Sequence, residues 1–196
     1  MIKYVALDIG GLLAKTDIEQ LTEYEQILRK AYYCRSYPNQ FNEIAKSLHM
    51  TPSFLLNEAE KYIKEIFLKS YVLFDDALSS LEYIRSLSFI PSLWTNNIGV
   101  LNDWLEQEGL LKYIDLAYVC NSFFMPPESN KPTKQFFLNA LAQMNATSQE
   151  ILYIDDDSKN VDAALGLDIL GLCYEEKKMK LVPTIKKGIE IAKGRM

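Results

Sequence analysis

The chain has 196 residues, 48% apolar and 24% charged, with 26 carboxylates against 21 lysines and arginines and a net charge of −5. At roughly 150 residues per domain this allows one domain, or one with an insertion, able to bury about 70% of its unfolded surface. The balance argues against wholesale disorder, and the acidic surplus against a dedicated nucleic-acid surface.

Ile2 to Leu7 is a compact apolar run that stops at Asp8-Ile9-Gly10-Gly11, which predicts a buried strand ending in a loop. From about Asp17 to Lys69 the pattern is purely helical. Asp17 with Gln20 offers a capping box, followed by Ile18, Leu21, Leu28 and Ala31 at helical spacing. Phe41, Ile44, Ala45 and Leu48 predict a second helix. Thr51-Pro52 starts a third, continued by Leu55, Ala59, Tyr62, Ile63, Ile66 and Phe67. After Tyr71 helices and strands alternate. Helices are predicted over 77–87, 99–108 (closed by Gly109), 133–144, 161–165 and 182–192. Strands are predicted over 89–94, 116–120, 151–154 and 169–173, the first with an irregular start at Pro91. Such alternation implies a Rossmann-like α/β core with a parallel sheet, whose ligands lie at the carboxyl ends of the strands.

Those ends carry Asp8, then Thr95 with Asn96, then Asp155 with Asp156. Carboxylates crowded together repel unless a cation joins them, and an all-oxygen set suits Mg²⁺ better than zinc or copper. Asp8 is then a metal ligand and a candidate nucleophile, since aspartates form acyl-phosphate intermediates. Thr95 and Asn96 precede a helix and form an anion seat, and Lys131 can place a point charge on a phosphate. Three cysteines (Cys34, Cys120, Cys173), without C-x-x-C spacing, argue against a disulfide framework or structural zinc and for buried thiols in a reducing cytoplasm. The single histidine, His49, leaves no His-based triad. No apolar run reaches the ~18–20 residues of a membrane span, and Asp8 interrupts the amino-terminal run before a secretion signal can form. The expectation is a soluble cytoplasmic protein with no membrane or nucleic-acid partner.

Asp8 in D-I-G-G-L-L, Thr95-Asn96, Lys131-Pro132, and Asp155-Asp156 with Asn160 in I-D-D-D-S-K-N follow one another as four motifs. In this order they resemble the haloacid dehalogenase (HAD) superfamily of phosphatases and related hydrolases, over the whole chain. The last motif, continued by Val161, Ala163, Ala164 and Gly166, is the most specific. The resemblance implies a three-layer core over 1–15 and 72–196 with an all-helical cap over 16–71. It implies Mg²⁺ and a small phosphorylated substrate, over which the cap would close. Asp8 would be the nucleophile. Thr95 and Lys131 would bind the phosphoryl group, and Lys131 would also orient Asp8. Asp156 would ligate Mg²⁺ directly, as would the Gly10 carbonyl. Asp155 would act through water or as partner to Lys131, and Asn160 would support the loop.

Phosphatases of that superfamily usually carry a second aspartate two positions after the nucleophile, as general acid and base. Here Gly10 stands there, which removes a group typically worth about 10²–10⁴ in rate. Three readings follow: a D-x-G-G phosphatase branch, a different reaction such as dehalogenation, or a weak or non-catalytic binding protein. The acids and Lys131 favour phosphate. A receiver-type signalling domain is the further rival, but it would need its acid pair after the first strand. Asp157 reads as a loop residue or helix cap. Most of the twelve tyrosines read as packing, and Lys177, Lys178, Lys180, Lys186 and Lys187 as solvated charges.

Overall fold

A computed structural model of the chain describes all residues except 97–99, 125, 127–128, 176–179 and 195–196. The predicted helix start at Gly99 and the pair Lys177-Lys178 lie outside the described residues. In chain order the elements are β1 (Tyr4–Leu7), β2 (Ala14–Thr16), α1 (Glu23–Cys34), α2 (Pro38–Ser47), α3 (Pro52–Ser70), β3 (Tyr71–Leu73), α4 (Ala77–Ser86) and β4 (Ile90–Thr95). They continue with α5 (Leu101–Gln107), β5 (Val119–Asn121), α6 (Lys134–Met144), β6 (Ile151–Asp155), α7 (Ser158–Leu165), β7 (Leu170–Cys173) and α8 (Leu181–Gly194). The chain divides into two compact units, Met1–Lys15 with Leu73–Met196, and Thr16–Val72.

The first unit is a Rossmann-like parallel sheet of order β5-β4-β1-β6-β7 between two helical layers. Strand alternation assigns the faces. Tyr4, Ala6, Trp94, Ile151 and Tyr153 point to one side, where they form a core with Phe136, Phe137, Ala140 and Met144 of α6 and Ala164 of α7. On the other side α4 packs on β4 and α8 on β6 and β7. There α8 comes so close that a Cβ on Gly188 would stand 2.7 Å from Leu152 and 2.8 Å from Leu172. Burying each Phe-sized side chain of such a core is worth roughly 2–3 kcal/mol.

Pro91 sits inside β4 without breaking it. The Ile90 N–H donates to Lys3 O across β1 at 3.0 Å. By alternation the missing N–H of Pro91 faces the β5 side, where pairing begins only at Leu93. The predicted strand over 116–120 is shortened at its start: Asp115 accepts from the Ala117 N–H at 2.9 Å and winds Leu116–Tyr118 into a 3₁₀ turn.

The second unit holds α1, α2 and α3. They pack on the faces the spacing predicts: Leu28 and Ala31, then Phe41, Ile44 and Ala45, then Leu55, Ala59, Ile63, Ile66 and Phe67. Its start departs from the prediction. Asp17 bonds Glu19 N–H and Gln20 Nε2 and caps a 3₁₀ turn over Ile18–Gln20, so Ile18 is exposed. The capping box of α1 is Thr22 with Glu25 instead. The chain passes between the units through β2 and β3, which pair as a two-stranded sheet and were not predicted. Three residues each are too few to show an alternation.

Candidate active site

Strand register assembles the site. Leu7 is level with Leu93 on β4 and Ile154 on β6, so Asp8, Trp94 and Asp155 form the next row at the carboxyl ends of three adjacent strands. The ladder continues there, with the Asp8 N–H donating to Ile154 O at 3.0 Å. Thr95 ends β4, buried.

Lys131 reaches this row from the loop before α6. Its ammonium donates to Asp8 Oδ1 at 2.7 Å, to Asp155 Oδ2 at 2.8 Å and to Trp94 O at 2.9 Å. A lysine has three such protons, and each has an acceptor. The side chain is 3% exposed, so these are buried charge-assisted bonds. Asn96 fixes the backbone that carries it. Its Oδ1 accepts from the Lys131 N–H at 3.0 Å and from Ser122 Oγ at 2.6 Å, and its Nδ2 donates to Lys131 O at 3.1 Å. The expectation from the sequence is an anion contact through the Asn96 backbone N–H and amide. In the structure the amide Oδ1 and one Nδ2 proton bond the Lys131 backbone, which ties the end of β4 to the loop that carries Lys131.

Asp155 is fully buried and heavily bonded. Its Oδ1 accepts from the Asp157 N–H at 2.8 Å and from Asn160 Nδ2 at 3.1 Å. Its Oδ2 accepts from Lys131, from Asn160 at 3.0 Å and from the Tyr153 hydroxyl. Burial pushes its carboxyl up, but the Lys131 charge and these donors prevail and hold it below the usual range. Asp155 is thus the partner of Lys131, and Asn160 supports Asp155 directly. Asp157 caps α7 by accepting from the Lys159 N–H at 2.9 Å.

Among the described residues Asp8 and Asp156 have no such supply of donors. Burial raises Asp8, opposed by Lys131 and reinforced by Asp155. Burial, then the charges of Asp8 and Asp155, push Asp156 up to about 6. Oxygens of Asp8, Asp155 and Asp156 all lie within 4.8 Å of one another. Three carboxylates facing one ammonium leave negative charge uncompensated, and the donor set is all oxygen; both fit a hard divalent cation. Gly11 makes the crowding possible. It holds a left-handed φ of +75°, and a Cβ there would stand 2.0 Å from Asp156 Oδ2. Gly10, two residues past Asp8, bridges to Ala14 and brings no side chain.

The sequence reading therefore named residues that the fold places together: Asp8, Lys131, Asp155, Asp156 and Asn160, with Asn96 behind Lys131. It gives no role to Tyr153 or Ser122, and holds Gly11 only as the second glycine of D-I-G-G. The signal for Tyr153 was its place two before Asp155, on the same face of β6.

A parallel sheet that gathers a carboxylate after its central strand, a lysine from a following loop and an acid pair after the next strand defines an α/β protein with an acidic site at its strand ends. The family described as haloacid dehalogenase-like hydrolase matches residues 11–170, and the chain belongs to it. Solved structures agree in fold. A β-phosphoglucomutase from Clostridium difficile is 14% identical with a TM-score of 0.65, covering 97% of this chain and 99% of its own. A HAD family enzyme from Bacteroides thetaiotaomicron, in complex with magnesium and inorganic phosphate, is 17% identical with a TM-score of 0.63, covering 91% and 97%. A HAD phosphatase from Thermococcus onnurineus is 15% identical with a TM-score of 0.61, covering 91% and 89%. No curated protein matches the chain. Among the described residues no helix is long and apolar enough to cross a membrane.

Proposed function

We propose that the chain is a Mg²⁺-dependent phosphatase of a small phosphorylated metabolite, working through an aspartyl-phosphate on Asp8. The carrying observation is the three-way bond of the Lys131 ammonium to Asp8, Asp155 and Trp94 O, beside the acidic cluster. Asp8, Asp156 and the Gly10 carbonyl are the groups that would hold Mg²⁺, which when bound offsets carboxylate–phosphate repulsion and stabilises charge on the transferring phosphoryl group.

With Oδ1 held by Lys131, Asp8 attacks phosphorus through Oδ2. A P–O bond forms and the bond to the leaving oxygen breaks, its electron pair going to that oxygen. Water then attacks phosphorus, freeing phosphate and the Asp8 carboxylate. Lys131 keeps a fixed positive charge beside the attacking carboxylate, and Asp155, saturated with donors, keeps Lys131 in place. Thr95 lends its hydroxyl to the phosphoryl oxygens. Lys131 serves the phosphate through its charge, since its protons are already spent on protein acceptors. The helical unit Thr16–Val72 is the proposed cap and source of specificity.

Because Gly10 offers no proton, leaving groups that depart as anions are favoured: aryl and acyl phosphates turn over faster than alkyl phosphates by about 10²-fold or more. The test is Mg²⁺-dependent hydrolysis of an aryl phosphate by the wild type beside Asp8→Asn. The proposal expects turnover lost on chelation and reduced by about 10⁴-fold or more in Asp8→Asn. Equal rates for alkyl and aryl phosphates would overturn the role given to Gly10. Phosphate binding without turnover in the wild type would instead establish a binding protein, the second reading that Gly10 favours.

A further inference from the structure

We infer that Tyr153 is a positioning residue for the Asp8 nucleophile, acting through Asp155 and Lys131. The inference rests on the phosphatase reading above. Tyr153 is fully buried in the middle of β6. Its ring lies 5.4 Å from Trp94 and 5.4 Å from Phe137, the latter edge-on at 81°. Phe136 closes the group, 6.3 Å from Trp94 and 5.3 Å from Phe137. The ring is enclosed on several sides, and the hydroxyl is anchored under the site by its own bond to Asp155.

Packing does not account for that hydroxyl. A phenylalanine would fill the same aromatic box without burying a polar group. The hydroxyl's desolvation is offset by its bond to Asp155 Oδ2, the same oxygen that accepts from Lys131 at 2.8 Å. Asp8 and Asp155 compete for one ammonium. A neutral donor on Asp155 satisfies part of that carboxylate without adding a cation. Lys131 is then not drawn wholly to Asp155, and one of its protons stays on Asp8 at 2.7 Å. Tyr153 thereby sets where Lys131, and through it Asp8, comes to rest.

The experiment compares Tyr153→Phe with Phe137→Leu, which disturbs the same aromatic group and touches no polar atom of the site. Tyr153→Phe is expected to lower kcat for an aryl phosphate about tenfold with KM within twofold. Phe137→Leu is expected to lower the melting temperature and leave kcat within twofold. In ¹⁵N NMR the Lys131 ammonium protons, all bonded in the wild type, should exchange with solvent about tenfold faster in Tyr153→Phe. Unchanged kcat together with unchanged Lys131 exchange would overturn the inference, and so would an equal loss of kcat in Phe137→Leu. A wild type without turnover would defeat the phosphatase reading, while Lys131 exchange would still decide the role of Tyr153. If Tyr153→Phe does not fold, the wild type carries the test. A Tyr153 hydroxyl proton protected from exchange supports the inference, and a freely exchanging one overturns it.

Discussion

The two compact units treat polar groups in opposite ways. In the sheet unit the buried polar side chains include Ser92, Thr95, Ser122, Lys131, Asp155 and Asn160, and most converge on the carboxyl ends of β1, β4 and β6. In the helical unit the described buried polar side chain is Ser70, which bonds its own helix at Ile66 O. That unit keeps its polar work outside, in the Thr22–Glu25 capping box and in the exposed pair of Lys69 with Glu25 at 2.9 Å. Buried polar groups are costly unless each is paired, so a fold retains them in number where they serve a site. The helical unit stands on apolar faces, which tolerate change of the residues around them.

The sharpest break of this comparison is Lys131→Met. It leaves Asp8 and Asp155 buried without their cation. Aryl phosphatase activity should fall about 10²–10³-fold. The melting temperature should drop by about 10 °C, from the roughly 3–5 kcal/mol cost of breaking a buried pair. Activity assays with calorimetry check both. An unchanged melting temperature would mean that Lys131 is not holding the strand ends together.

Gly11→Ala comes next. Its Cβ would meet the Asp156 carboxylate, and its φ of +75° disfavours any side chain. A destabilisation of about 1–3 kcal/mol is expected in denaturant titration. Stabilisation by Mg²⁺ should be lost, because Asp156 must move.

Metal and pH together sharpen the contrast further. Asp156 is raised to about 6 by burial and by its two neighbouring carboxylates. Between about pH 4 and that value the folded chain holds a proton that the unfolded chain has released. The favourable contribution of that proton is therefore lost as pH rises through 6. The proposed cation at the cluster would take the proton's place. Mg²⁺ should accordingly raise the melting temperature by several degrees at pH 7.5 and by little at pH 5, as a thermal-shift series with and without chelator would show. An equal effect at both pH values would place the cation elsewhere.

The smallest effect belongs to the helical unit. Thr22→Ala removes one half of an exposed capping box and should cost about 1 kcal/mol, with aryl phosphatase activity within twofold of wild type. A large loss of activity would show that this helix end does more than close α1.

Much of this was legible along the chain because local chemistry repeats with the period of its element. The apolar run before Asp8 and the run Ile151–Ile154 read as buried strands, and they are buried strands. The helical faces of Phe41, Ile44 and Ala45, and of Leu55 through Phe67, follow from spacing alone. Where a short polar side chain competes for the backbone, the reading shifts. Asp17 and Asp115 each wind a 3₁₀ turn where a helix start and a strand were expected. The ribbon of β2 and β3 was invisible because its pairing joins residues more than fifty positions apart and neither strand is long enough to alternate.

The candidate site divides along the same line. Sequence by itself determined which groups stand at the strand ends, since Asp8, Thr95 and Asp155 each close an apolar run. It also determined that Gly10 offers no acid. Tertiary structure alone decided what each group holds. Register sets Asp8 level with Asp155, and the loop before α6 carries Lys131 between them. The amide of Asn96 turns to the Lys131 backbone, and the Tyr153 hydroxyl finds Asp155. A sequence specifies donors and acceptors, but a hydrogen bond extends about 3 Å. Which donor meets which acceptor is settled only when strands distant in the chain lie side by side.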